Sequence, residues 1–434
     1  MKSLIISSNK SGGGKTTFTL GLMNLLIKKG FDVQGYKVGP DYIDGAFHNF
    51  ITGKPSRNLD LFLMGEEKLQ YTYSKGSGDL GIIEGVMGLY DGKGIDTFSS
   101  TYHVSKVLND MPILLVITPG AQSVTLCAEI NGIINFKGAN VVGVVLNSIS
   151  KSYYMLLKAA IEKNCNIKVF GYIEKDEKLS LKSRHLGLVQ SVEVNNLKEK
   201  IDYCSSIIEK NIDIDGLLHE FKSIECKNES LNIEYKNINI GIALDEAFSF
   251  YYEENIEILK KIGNLVYFSP LHDEELPKNL DFLYLGGGYP EIFKEKLSKN
   301  KTMRNSIKKE LENGLRCFAE CGGLMYLTES IDGYDMVGFF NGNSEMTEKL
   351  QRFGYATLVL KDRKDLTINC HEFHKSKVNL NENKVYKVTK ENFLGKKIDW
   401  TCGYEKNNTI AGYPHVNFLG NIEFLKEVIG YKNY

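Results

Sequence analysis

Short aliphatic runs recur through the first half of the chain, and each is followed by a stretch with helical spacing of its apolar positions. SLIIS (3–7), DVQGYKV (32–38), LGIIEGV (80–86), PILLVIT (112–118) and NVVGVVLN (140–147) are rich in Val and Ile. Continuous apolar runs of this length predict strands buried on both faces. Helical spacing appears between them, as at 16–29 and 123–136. Strand–helix alternation predicts a parallel sheet with helices on both faces. A polar helical stretch at 194–222 and the charged segment CKNESLNIEYKN (226–237) interrupt the pattern. The alternation restarts with NINIGIAL (237–244), NLVYFSP (264–270), DFLYLGGGYPE (281–291) and GLRCFAECGG (314–323). The expectation is an α/β protein of two domains, residues 1–225 and 238–434.

Composition narrows the functional classes. Lys plus Arg number 53 and Asp plus Glu 54 among 434 residues, a balance that gives no support to a nucleic-acid or membrane partner. The opening apolar run, Leu4 to Ile6, is too short for a signal-peptide core, and no run reaches the ~18 residues that span a bilayer. The eight cysteines are scattered, without a C-x-x-C pair, and a reduced cytoplasm is the expected setting.

The first candidate chemistry lies in SSNKSGGGKTTFTLGL (7–22). A phosphate loop reads G-x-x-x-x-G-K-[ST]; Gly14, Lys15 and Thr16 supply its second half, while Asn9 occupies the first glycine position. Asn tolerates left-handed backbone better than most residues, so the turn is expected to survive. Gly12, Gly13 and Gly14 let amides approach phosphates, Lys15 can reach the terminal phosphates, and the Thr16 hydroxyl can hold Mg²⁺. A preceding strand and a following helix argue against a glycine turn without a ligand. Phosphoryl transfer also needs carboxylates near the metal. Glu84 ends an apolar strand with Asp91 just beyond, and Asp41 and Asp44 follow another strand. Ligands bind at the C-terminal ends of parallel strands, although any one of these acids could instead cap a turn.

The second candidate is FAECGGLMYL (318–327), where Cys321 stands between an apolar strand and a glycine-initiated helix. That is a nucleophile turn, and the helix dipole is expected to lower the thiol pKa. Gly286, Gly287 and Gly288, with the Gly322 amide, offer an oxyanion hole, and His415 in GYPHVNF is the candidate base.

These motifs together resemble the cobyrinate a,c-diamide synthases. The resemblance runs through SGGGKTTFTLGLM, YKVGPDYID, PSRNLD, EGVMGLYDG, SRHLGL, YLGGGYPE, AECGGLMYL, MTEKLQRFGY and HEFHKS, in matching order. It implies an N-terminal P-loop ATP domain like dethiobiotin synthetase and a C-terminal class I glutaminase-like α/β domain. The implied reaction is ATP-dependent amidation of the a and c acetate side chains of the corrinoid cobyrinate, with glutamine as nitrogen donor. It further implies ATP contacts by Gly12, Gly13, Gly14, Lys15, Thr16, Thr17 and Asn147, and Mg²⁺ at Thr16 and Glu84 with Asp41 as a third candidate. Asp44 and Asp91 would position substrate or couple the sites, and Arg57, Asn58 and Asp60 would line the substrate cleft. His185 in SRHLGL is as consistent with a structural role. The catalytic pair would be Cys321 and His415, with Gly287, Gly288 and Gly322 as the oxyanion hole.

Two departures stand out. Class I glutaminases usually carry His-x-Glu, but the third position here is Asn417, which leaves Asn417 or Glu372 to assist His415. Lys10 matches the extra lysine of dimeric partitioning ATPases and is read as incidental. Nickel-sirohydrochlorin or hydrogenobyrinate remains open as the substrate. A nucleotide-switched dimeric ATPase with a non-catalytic second domain is the rival of another class, and a homodimer is open under either reading.

Overall fold

The computed structural model describes residues 1–179, 191–226, 231–361 and 366–430, the side chains of 191–195 excepted. His185 lies outside the described residues. The chain divides into two units, Met1–Leu61 with Glu66–Glu229, and Phe62–Gly65 with Ser230–Tyr434. Among the described residues, no helix is long and apolar enough to cross a membrane.

Among the described residues the first unit is built on seven parallel strands: β1 (Lys2–Ser7), β2 (Val33–Val38), β3 (Arg57–Leu59), β4 (Leu80–Glu84), β5 (Ile113–Ile117), β6 (Val141–Leu146) and β7 (Lys168–Tyr172). Their order across the sheet is β3-β2-β4-β1-β5-β6-β7, and a two-residue strand, β8 (Lys222–Ser223), pairs antiparallel with β1. The five strands expected from aliphatic runs are all present. β3 and β7 were not foreseen, because RNL and KVFGY interrupt apolar positions with polar residues or glycine. Leu4, Ile6, Ile82, Leu114 and Val116 from the sheet pack with Phe18, Leu22 and Leu26 of helix α1 (Lys15–Lys28) and with Ile208. β1 lies between β4 and β5, where the chain changes sides of the sheet. In parallel α/β sheets such a switch point opens a crevice for ligands at the strand C-termini.

The second unit carries a ten-stranded sheet that changes character across its width. Gly263–Phe268, Ile238–Ala243, Phe282–Leu285, Arg316–Glu320 and Thr409–Gly412 run parallel to their neighbours. From Lys397–Lys406 onward, through Asn383–Glu391, Arg352–Leu360, Thr367–His374 and His415–Val416, every pairing is antiparallel. The antiparallel half was not read from sequence. Strand Thr367–His374 alternates buried with more open positions, and Asn383–Glu391 and Lys397–Lys406 are interrupted by exposed polar residues, so they show no continuous apolar run. The Lys/Glu-rich stretch after residue 292 forms helices Lys294–Lys299 and Lys301–Glu312, whose inner faces bury Leu297, Met303, Ile307 and Leu311.

Candidate active site

In the first unit the glycine loop joins β1 to α1. Gly12 and Gly14 take positive φ, 71° and 93°. Asn9 does not belong to the positive-φ residues, so the loop does not need left-handed backbone where the first glycine was expected. Asn9 instead donates through Nδ2 to Glu129 at 2.6 Å. Glycine is required at 13 and 14 for space. A Cβ on Gly13 would stand 2.1 Å from the Ser8 hydroxyl, and one on Gly14 2.2 Å from the Asn147 amide. Asn147, at the end of β6, donates to the Thr118 hydroxyl at 2.9 Å and to the Gly13 carbonyl at 3.4 Å, and so braces the loop. Thr17 sits one residue further into α1.

Lys15 is buried and donates to the carbonyls of Met87 at 2.5 Å and Lys10 at 3.3 Å. Burial, then the charge of Lys37, brings its pKa down to about 8. The Lys10 side chain itself is exposed. Thr16 donates to Glu84 Oε1 at 2.5 Å.

Glu84 is fully buried and meets Thr16, Lys37 and His48. Lys37 Nζ lies 3.2 Å from Oε1, and His48 Nε2 lies 2.9 Å from Oε2. Parallel pairing sets Lys37 opposite Glu84, which brings both side chains together at the strand ends. Lys37 also reaches Asp44 at 2.6 Å. Burial opposes the charge on Lys37 and on Glu84, and their mutual attraction overrides it, so lysine is driven up and carboxyl driven down. Asp44 goes the other way, up to about 6, because burial and the neighbouring Glu84 outweigh Lys37. Lys37 and His48 were missed from sequence. The signal was available for Lys37: a lysine inside the buried run VQGYKV must have a partner.

The other acids and cleft residues are largely structural in position. Asp41 Oδ1 accepts the amides of Ile43 at 2.8 Å and Asp44 at 3.0 Å, capping helix α2 (Ile43–Thr52). Asp91 accepts the Gly88 amide at 2.8 Å. Asn58 donates to the carbonyls of Gly39 at 2.8 Å and Asp41 at 3.0 Å. Arg57 and Asp60 are both buried. Thr16, Glu84, Lys37 and Asp44 therefore converge, while Asp41 and Asp91 are turned to backbone amides.

In the second unit Cys321 follows strand Arg316–Glu320 and caps the helix Gly322–Leu327 with φ 48° and ψ −98°. A non-glycine residue at positive φ costs about 1–3 kcal/mol and persists only where its surroundings impose it. Here the Cys321 amide donates to the Gly412 carbonyl at 2.7 Å. The glycine segment 286–288 crosses beside it. A Cβ on Gly322 would stand 3.1 Å from the Gly288 nitrogen, and one on Gly287 2.4 Å from His415 Cε1. Gly322, next to Cys321, thus lies against Gly288, and Gly287 lies against His415. Gly286 is excluded from the oxyanion donors because its amide is bound to the Tyr251 hydroxyl at 2.8 Å.

The expected lowering of the thiol pKa is corrected. Burial drives Cys321 well above the ordinary thiol range, and the charges of Glu291, Glu320 and Glu372 add to it; the Gly322 amide opposes them only partly. His415 is driven the other way, down to about 3, by burial and by His371 and His374. Both shifts favour a neutral thiol and a neutral imidazole at rest.

Asn417 does not take the place of the missing Glu. Its Oδ1 accepts the Leu419 amide at 3.0 Å, and its Nδ2 faces Glu254 at 3.5 Å. Glu320 Oε2 lies 4.0 Å from His415 Nδ1. Glu320 also accepts the Val416 amide and the Tyr284 hydroxyl, and burial lifts its pKa to about 8. Glu372 lies 3.6 Å from His374 Nε2. Glu320 was overlooked because it immediately precedes the nucleophile and lies far in sequence from the histidine.

Residues 4–189 match the CobQ/CobB/MinD/ParA nucleotide binding domain, and residues 239–422 match the CobB/CobQ-like glutamine amidotransferase domain. The chain therefore joins a P-loop nucleotide-binding domain to a glutamine amidotransferase domain. A Clostridium tetani protein named cobyrinate a,c-diamide synthase is 61% identical, over 99% of this chain and 100% of its own. Proteins of the same name from Clostridium acetobutylicum and Listeria innocua are 57% and 39% identical, over 99% of this chain and 100% and 99% of theirs. The chain belongs to the cobyrinate a,c-diamide synthase family.

Proposed function

We propose that this protein amidates the a and c acetate carboxylates of cobyrinate in cobalamin biosynthesis, using ATP and glutamine. The observation that carries the reading is the full-length identity of 61% to a protein of that name, with a nucleotide-binding and an amidotransferase domain in one chain.

The chemistry fits the residues. A carboxylate oxygen leaves poorly, so the substrate carboxylate first takes the γ-phosphoryl group of ATP and becomes an acyl phosphate. Lys15 and the amides of Gly12 to Lys15 stabilise the charge that moves in that step. Thr16 Oγ1 and Glu84 Oε1, 2.5 Å apart, form the hard oxygen set that suits Mg²⁺ beside nucleotide phosphates. When bound there, Mg²⁺ neutralises phosphate charge. Lys37 and His48 hold the carboxylate of Glu84 in place for that role. Ammonia then displaces phosphate from the acyl phosphate.

Cys321 generates the ammonia. His415 takes the thiol proton as Sγ attacks the amide carbon of glutamine, and the amides of Gly288 and Gly322 receive the oxyanion. The imidazolium returns the proton to the departing ammonia, leaving a thioester that water cleaves to glutamate.

Mass spectrometry tests the substrate. Incubation with cobyrinate, Mg·ATP and glutamine should give two successive carboxyl-to-amide conversions. Conversion of nickel-sirohydrochlorin or hydrogenobyrinate in parallel incubations, with cobyrinate left untouched, would reassign the substrate.

A further inference from the structure

The charges of three carboxylates, Glu291, Glu320 and Glu372, act on Cys321, and they differ in what they are free to bind. Glu320 is committed, with Oε1 accepting the Val416 amide at 2.9 Å and Oε2 the Tyr284 hydroxyl at 2.8 Å. Glu372 is sealed: it is 2% exposed, and neither oxygen is open to solvent. Glu291 is neither. It follows the glycine segment and Pro290, whose Cδ lies 2.9 Å from where a Gly322 Cβ would be. Its side chain is half-buried. Its carboxylate accepts its own backbone amide; among the described residues it has no hydrogen bond or ion pair to another side chain, and the nearby Lys294 is engaged by Asp332 at 2.7 Å. Burial pushes the Glu291 carboxyl up to about 7, and among the charges that resist ionisation of Cys321 its own comes first.

A half-buried carboxylate met only by its own backbone amide is costly to keep ionised unless a further donor arrives to meet it. The substrate that must reach Cys321 carries such a donor. Glutamine is a zwitterion, and its α-ammonium group loses water on entering the site. Each ammonium hydrogen can make a charge-assisted hydrogen bond to a carboxylate oxygen. Glu320 cannot supply one without releasing an existing partner, and Glu372 is closed off.

We infer that Glu291 receives the α-ammonium group of glutamine and so selects an α-amino acid amide over an amide that lacks the amino group. The inference rests on the glutaminase role proposed above for Cys321. It assigns Glu291 to substrate binding, with no part in proton transfer to or from the thiol.

The full chain tests it with two amides: glutamine, and glutaramate, which is glutamine without its α-amino group. Hydrolysis of each is followed for the native protein, Glu291→Gln and Glu291→Asp. The native protein should prefer glutamine. Glu291→Gln should lose roughly 10- to 100-fold in kcat/KM for glutamine, mostly through KM, the range of a hydrogen bond to a charged group. Its turnover of glutaramate should stay within about threefold of native, which also shows that the site is folded. Glu291→Asp should recover part of the preference. If Glu291→Gln keeps the native preference, or loses both substrates in equal proportion, the inference is overturned while the proposed function stands. If the native protein hydrolyses neither amide, the proposed function falls and takes this inference with it.

Discussion

The nucleotide loop and the thiol turn are both strand–turn–helix junctions at the C-terminal ends of parallel strands, yet they handle charge in opposite ways. At the loop, buried acid meets buried base: Glu84 is bound by Thr16, Lys37 and His48, and Lys37 also holds Asp44. At the turn, burial and the charges of Glu291, Glu320 and Glu372 resist ionisation of Cys321, and burial and two further histidines keep His415 neutral. The difference follows from the two reactions. Phosphoryl transfer moves charge that is present throughout, so fixed counter-charges in place before ATP arrives are useful. A glutaminase that ionised its cysteine at rest would expose a reactive thiolate without substrate. A neutral thiol beside a neutral histidine defers charge separation until glutamine is present.

The most severe way to break this comparison is to remove the sulfur. Cys321→Ala should abolish glutamine-dependent amidation altogether and leave ammonium-dependent amidation intact, as product formation with each nitrogen source would reveal. Full activity with glutamine would mean that another residue is the nucleophile. The corresponding cut at the loop should act on both nitrogen sources at once. Lys15→Ala and Glu84→Ala each remove fixed charge from phosphoryl transfer, and each should lower turnover by about 10²–10³-fold at saturating Mg·ATP. Near-native turnover in either variant with ammonium would misplace the ATP site.

The neutral resting pair has a consequence in pH. Burial raises the Cys321 thiol and lowers His415, so little thiolate exists near neutrality. Alkylation of Cys321 by iodoacetamide should therefore keep rising with pH above 8, with no plateau near 6 or 7. The carboxylate Glu320 works in the opposite sense to an ordinary acid. Its folded pKa, about 8, is raised above the unfolded value, so the stability it contributes is fully present at low pH and is lost as pH rises toward 8. A thiol alkylation rate that levels off at pH 7 would mean that the site holds a thiolate after all.

What could be read from sequence divides along the same line. The loop and the turn were legible because each is a contiguous run of residues with fixed spacing: GGGKT at 12–16 and ECGG at 320–323. The parallel strands were legible because burial on both faces leaves continuous aliphatic runs. Contacts that depend on strand register were not. Lys37 opposes Glu84 through pairing between β2 and β4, and His48 reaches it from a helix. Glu320 comes near His415 because its strand pairs with Thr409–Gly412, which leads to the histidine three residues later. The thiol's pKa was misread for a related reason. A helix N-terminus is visible in sequence, but the burial and the three carboxylates that outweigh it are not.

The smallest predicted effects separate His415 from the residue two places on. His415→Ala removes the proton acceptor and should lower glutamate release by about 10²-fold or more, within what general-base catalysis contributes. Asn417→Ala should behave differently. Its carbonyl oxygen accepts the Leu419 amide and its amide faces Glu254, so what it loses is a cap on the turn at 418–420. That loss should reach His415 only through the backbone, where Asn255 holds the Val416 carbonyl at 2.8 Å and the Phe418 amide at 2.7 Å and remains in place. Glutamate release by Asn417→Ala should stay within about threefold of native, while thermal unfolding should show a loss near 1 kcal/mol, typical of a missing cap. Glu320→Gln keeps hydrogen-bonding atoms near Val416 and Tyr284 and removes the carboxyl, raised to about 8 at rest, that can ionise 4.0 Å from the imidazole when that ring gains a proton, so it sharpens the test. A fall in glutamate release of about tenfold for Glu320→Gln, above that of Asn417→Ala, would place the support for the imidazolium on the strand before the nucleophile. The reverse order would return that role to Asn417.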